Sequence, residues 1–218
     1  MNRILAVDTT AEFGSIALAG EEILIHSPEG FGGVIFAQIG QLLERTGLRL
    51  DEVDAFAAAS GPGSFTGVRI GLACVKGLAE ATGKPAFAVS NLEAVARFGT
   101  TELRAPVLDA RRGECYAAVY DCNGAVIVPE MVAKFPVFLA HLPEGPIGFV
   151  SQNPGIFTAA LAGTRFGEYP VTDAPRAIAA QIAQIAAEKF LRNEPGDPAG
   201  LDANYVRRSD AELLFKPW

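Results

Sequence analysis

Three stretches carry residue types and spacings suited to holding a phosphate. Asp8-Thr9-Thr10 follows the short apolar run Ile4–Val7, so it reads as a strand closed by a tight turn. There a carboxylate would act on magnesium through the ion's water shell while the hydroxyls touch phosphate oxygens. An Asx turn with no ligand uses the same tripeptide. Gly61, Gly63 and Ser64 belong to SGPGSFTG, residues 60–67, a glycine-rich loop that enters a helix. Its glycines let the backbone come close to another group, and free amides at the helix start suit an anion. Asp109 ends a third run, APVLD, and is followed by Arg111 and Arg112. These arginines suit a phosphate or a partner's acids, or form an exposed basic turn. Any nucleotide site is therefore expected at Asp8, Thr9, Thr10, Gly61, Gly63, Ser64 and Asp109. The loop is not a P-loop, because no lysine follows its last glycine, and the G-x-G-x-x-G spacing is absent.

Other chemistries lack their residues. His26 and His141 are far apart, and neither H-E-x-x-H nor G-x-S-x-G occurs. Cys74, Cys115 and Cys122 have no metal-ligand spacing, and reduced cytoplasmic thiols are the expectation. No catalytic centre and no metal ligand set are expected. The 218 residues carry 18 basic and 25 acidic side chains, a net charge of −7. That balance argues against autonomous nucleic-acid binding, which needs a basic footprint. An acid within the first residues fits no signal peptide, and the apolar runs fall short of a membrane span.

The elements that must position these residues can be read from pattern. Ile4–Val7, Phe13–Ala19 and Ile23–His26 read as an antiparallel meander with a turn at Gly20-Glu21. Val34–Arg45 is helical by length and by its Gln38, Gln41, Arg45 stripe, with Gly47 as its stop. Val53–Ala59 suits a buried parallel strand, and Pro85–Val89 reads as another. Ser90 to Glu93 is a capping box opening the helix Leu92–Phe98. The first hundred residues thus read β-β-β-α-β-α-β-α, an α/β fold with a mixed sheet as in ribonuclease-H-like lobes.

The next segment of the chain repeats the start. With no gap, Asp109 falls on Asp8 and Tyr116–Val119 on Ser15–Leu18. A duplicated lobe would place an aspartate from each copy at a cleft; a chance match of hairpins is the alternative. The expected lobes are 1–103 and 104–218. In the second, Phe135–Leu142 and Pro154–Leu161 read as helices, Gly145–Val150 as a strand and Pro175–Leu191 as a long helix started by Thr172 or Asp173. The tail offers a short strand around Tyr205–Val206.

The helix after the glycine loop is apolar on most sides. Val68, Leu72, Val75 and Ala79 share one face; Ile70, Cys74, Leu78 and Ala81 share another; Arg69, Lys76 and Glu80 form a narrow charged stripe. Such a helix must be covered on most sides. Its second cover is either its own lobe or another protein. A partner surface is expected at Val68, Arg69, Leu72, Val75, Lys76 and Ala79, with Ile35, Ile39, Leu42 and Leu43 of the preceding helix. A charge at Val75 or Leu72 should then abolish association and leave a folded monomer.

ILAVDTTAEFGSIAL, SGPGSFTGVRIGLACVKGLA, VSNLEAVA, VLDARRGECYAAVY and the tail NYVRRSDAE together resemble the TsaB (YeaZ) family over nearly the whole chain. The glycine-loop and DARRG blocks are specific; the amino-terminal block is shared with many actin-like ATPases. The chain departs from the family at PEGFGGVIFAQIG, where a leucine-rich stretch is usual. The resemblance implies a two-lobed actin/Hsp70-like fold and a role in making threonylcarbamoyladenosine beside the anticodon of bacterial tRNA. It implies a non-catalytic partner of the metal-bearing paralogue TsaD, joined by the ATPase TsaE, contacting tRNA only through the complex and forming homodimers when alone. ATP or ADP with magnesium would enter at the level of that complex. The rival readings are an actin-like ATPase or small-molecule kinase using Asp8, and a metallopeptidase.

Overall fold

The computed structural model describes residues 2–207. They form two compact units, one of residues up to Ala94 with Pro175–Ala203, the other of Val95–Ala174 with 204–207. The division differs from a single cut at residue 103, because the last long helix returns to the first sheet.

The first unit holds β1 (Ile4–Asp8), β2 (Phe13–Leu18), β3 (Glu21–His26), β4 (Ala55–Ala59) and β5 (Ala86–Val89), in the order β3-β2-β1-β4-β5. The first three strands are antiparallel neighbours; β4 pairs parallel with β1 and β5 with β4. Short turns suffice for the antiparallel strands. Ala19-Gly20, with φ of 52° and 90°, closes β2 on β3 as a two-residue hairpin requires. The parallel strands need helical connections, supplied by α1 (Ile35–Thr46) and α2 (Phe65–Thr82). Both helices stop at a left-handed glycine, Gly47 and Gly83.

One core joins α1 and α2 to a single sheet face. Ile35, Ile39 and Leu42 pack with Val68, Leu72, Val75 and Ala79 on Leu5, Val7, Ile16, Leu18 and Phe56. Chain alternation turns Ala6, Ala17 and Ala57 to the opposite face. There α6 (Ala179–Leu191) packs on β1, β2 and β4. It begins four residues later than expected from the sequence. Its first amides are met by the first sheet: Ile178 N and Ala179 N donate to Ser15 Oγ at 3.0 and 2.9 Å, and Ala180 N to Glu22 Oε1 at 3.0 Å. Thr172 and Asp173, the expected caps, lie in a strand instead.

In chain order α3 (Asn91–Ala96) leads into the second unit. That unit contains β6 (Leu103–Arg111), β7 (Glu114–Asp121), β8 (Val126–Ala133), α4 (Phe135–Leu139), β9 (Ile147–Ser151), α5 (Thr158–Leu161) and β10 (Val171–Asp173). Its sheet order is β10-β9-β6-β7-β8, the first sheet's order with each strand replaced by its successor copy. Phe135, Phe138, Phe149, Phe157 and Phe166 dominate its core. Residues 205–206 are not a strand. The end of the tail block, RSDAE, lies outside the described residues.

Among the described residues no helix is long and apolar enough to cross a membrane. Burial pushes the Cys74 and Cys115 thiols up to about 11, so both are packing groups with little thiolate.

Candidate functional site

β1 ends in a buried aspartate whose surroundings are filled by the protein itself. Asp8 Oδ1 accepts from Thr10 N at 3.0 Å and from Thr10 Oγ1 at 2.7 Å. Thr10 Oγ1 in turn accepts from Asn91 Nδ2 at 2.7 Å, and Asn91 Oδ1 accepts from Gly61 N at 2.9 Å. Backbone bonds close the circuit: Asn91 N donates to Gly61 O and Ser64 N to Thr10 O. Thr9 Oγ1 donates to Gly67 O at 2.7 Å. Burial pushes the Asp8 carboxyl above its ordinary range, opposed by the Thr10 and Asn91 hydrogen bonds.

The glycines serve this contact. A Cβ at Gly63 would come within 2.6 Å of Thr10 O, one at Gly71 within 2.7 Å of Thr9 Oγ1, and one at Gly67 would overlap the Thr9 carbonyl oxygen. The loop and the Asp-Thr-Thr turn therefore lie against each other at backbone distance. At the helix start, Ser64 Oγ accepts from Gly67 N at 3.3 Å as an N-cap.

Six of the seven expected nucleotide residues thus gather in one unit. Asp109 belongs to the other. It stands at the end of β6 opposite Cys115, whereas Asp8 stands opposite Ser15. The β6–β7 connection is one residue shorter than the β1–β2 connection, so the gapless overlay slips by one position after the turn. Asp109 is exposed; its Oδ1 accepts from Arg111 N at 2.7 Å, and Oδ2 lies 3.5 Å from Arg111 Nη1. Among the described residues no group of three or more His, Cys, Asp or Glu is placed to hold a metal.

Two site residues escape a sequence reading. Asn91 sits inside the expected capping box, whose Ser90 Oγ accepts from Leu92 N and Glu93 N, and the cap explains the tetrapeptide without needing Asn91. Ser15 sits in the apolar strand FGSIAL; its only signal is a hydroxyl at a position the alternation buries.

The expected partner surface needs correcting. Ile35, Ile39, Leu42, Val68, Leu72, Val75 and Ala79 are buried in the lobe's own core, and Leu43 packs against it. A charge at Val75 or Leu72 would enter that core. Arg69 is exposed and Lys76 half-buried. The outward side instead shows Phe36, 61% exposed, with Val34, Phe65, Ala73 and Gly77. The Arg69 guanidinium lies 3.7 Å over the Phe65 ring.

The family model of TsaD, tRNA N6-adenosine threonylcarbamoyltransferase, matches residues 34–188. A Bacillus subtilis (strain 168) protein named tRNA threonylcarbamoyladenosine biosynthesis protein TsaB is 30% identical over 97% of this chain and 97% of its own. The Escherichia coli (strain K12) protein of the same name is 38% identical over 60% of this chain and 64% of its own. The solved structure of YeaZ from Pseudomonas aeruginosa superposes with a TM-score of 0.78 at 26% identity, covering 94% of this chain and 100% of that one. With two sheets of one strand order, these similarities define a two-lobed actin/Hsp70-like protein of the threonylcarbamoyltransferase group. The chain belongs to the TsaB (YeaZ) family.

Proposed function

We propose that this chain works in threonylcarbamoyladenosine formation on tRNA as a non-catalytic partner of TsaD. The observation that carries the reading is the outward side of α1 and α2. Phe36 and Phe65 are large apolar groups with exposed surface, and the exposed Ala73 and Gly77 of α2 allow close approach of another helix. A Cβ at Gly32 would touch Ile70 Cδ1 at 4.0 Å, which puts the chain entering α1 next to α2. TsaD covers this face in the working complex, and a second copy covers it when the chain is alone. TsaE joins the complex, tRNA is held only by the assembly, and nucleotide acts at that level rather than through Asp8.

The reading is supported by the Asp8 network, whose carboxylate is committed to Thr10. Reconstitution tests it. Threonylcarbamoyladenosine should form on tRNA when this chain is combined with TsaD, TsaE and the adenylate donor, and not when either this chain or TsaD is left out. Modification at full rate without this chain would contradict the proposal.

A further inference from the structure

The β6–β7 hairpin holds two arginines where arginine is a poor choice for folding. Arg111 pairs with Glu114, so Arg112-Gly113 is the two-residue loop, with φ of 57° and 75°. Turns of this kind favour Asn-Gly or Asp-Gly, because both central residues must be left-handed. Arg111 itself has φ of 65°, next to a register shift between Asp109 and Arg111 that leaves Ala110 as the extra residue of a bulge. Glycine is the usual residue at a left-handed bulge position. Local hydrogen bonding holds the conformation: Asp109 Oδ1 accepts from Arg111 N at 2.7 Å. The Arg111 side chain is 85% exposed.

A third arginine is brought to the base of the same hairpin by the chain's tail. Arg207 Nη1 donates to Ala110 O at 2.9 Å, Nη2 pairs with Glu114, and the guanidinium lies 5.8 Å from the Tyr116 ring centroid. Asn204 Nδ2 donates to Glu130 Oε2 at 2.6 Å, fixing that tail on the sheet. The bulge is thus braced by the tail, and Arg111, paired with Asp109, and Arg112 are both exposed at its tip. The corresponding β1–β2 turn contains no arginine and carries Glu12.

We propose that Arg111 and Arg112 form a contact for the phosphodiester backbone of an RNA strand, resting on the reading that the complex acts on tRNA. The guanidinium fork matches phosphate and carboxylate oxygens alike; two other features favour RNA over an acidic protein segment. Two adjacent arginines at a tip, with no apolar side chain beside them on the loop, offer charge without a protein-like anchor. The chain is otherwise acidic, so a local contact can position an RNA already held by a partner, but cannot bind it alone.

The test uses the complex of this chain with TsaD and unmodified tRNA. Arg111→Asn, Arg112→Asn and the double variant place a turn-favouring neutral residue at each left-handed site. Their melting temperatures should equal or exceed that of the parent chain. Affinity of the double-variant complex for tRNA should fall about tenfold at moderate salt. The slope of log affinity against log salt should become shallower by about 1 to 2, as for one or two lost phosphate contacts. Arg112→Lys should restore part of the loss. Equal affinity and slope for parent and double variant would overturn the inference alone. Loss of the TsaD complex in light scattering would also overturn it, by assigning the tip to a protein partner. A parent complex that never forms would defeat the functional reading instead.

Discussion

The two copies of the strand–aspartate–strand motif share a topology and differ in what their aspartates do. In the first, Asp8 is buried, accepts from Thr10 and is tied through Asn91 to the glycine loop. In the second, Asp109 is exposed and braces a bulge that carries two arginines. One copy has become an internal latch between a turn and a helix start; the other has kept its turn at the surface. The difference traces to the segment that leaves the neighbouring parallel strand in each sheet. β4 runs into a glycine-rich helix entry that can touch the Thr9-Thr10 backbone. β9 runs into Asn153-Pro154 and a short 3-10 turn, with no glycine loop to cover Asp109.

The comparison breaks most sharply at Gly67. Gly67→Val forces a side chain into the Thr9 carbonyl and should cost about 3 kcal/mol or prevent folding. Chemical denaturation measures it, and a near-neutral result would mean the loop and the turn are not in close contact. Next is Asn91→Ala, which strands the buried Gly61 amide and removes a donor to Thr10 Oγ1; about 2 kcal/mol should be lost.

Asp8→Asn has a smaller effect of opposite sign. Because the folded carboxyl titrates above its unfolded value of 3.8, its favourable contribution is complete below that value. It is lost as pH rises through the folded value, so the charged form opposes folding near neutrality. The amide keeps an oxygen acceptor for Thr10 and cannot ionise. It should raise stability by about 1 kcal/mol at pH 8 and flatten the decline in melting temperature with rising pH. A fall in stability at pH 8 with the parent's slope would contradict the latch. Asp109→Asn, by contrast, should change stability by less than about 0.5 kcal/mol, since its carboxylate is exposed.

Much of this architecture is legible in the residues. The meander, both parallel strands, α1 and α2 can be read from alternation, helical spacing and stop glycines, within a residue or two. The duplicated sheet is signalled by the match of Asp109 with Asp8, although the one-residue deletion in the turn hides in a gapless overlay. β8 is hidden because Pro129 and Glu130 interrupt its alternation, and β10 because three residues carry no period. The two faces of α2 mislead for a physical reason. Val68, Leu72, Val75 and Ala79 are apolar because α1 and the sheet cover them. The exposed side of α2 includes the small residues Ala73 and Gly77, which no hydrophobicity pattern marks. Asn91 is hidden by the cap in which it sits.

The most direct measurement is light scattering of this chain mixed with the same organism's TsaD, with and without Ala73→Glu. Ala73 is exposed in the middle of α2, so the glutamate leaves the core untouched. The account predicts a one-to-one complex with the parent chain and separate, folded proteins with the variant. An equally stable complex with Ala73→Glu, or none with the parent chain, would contradict it.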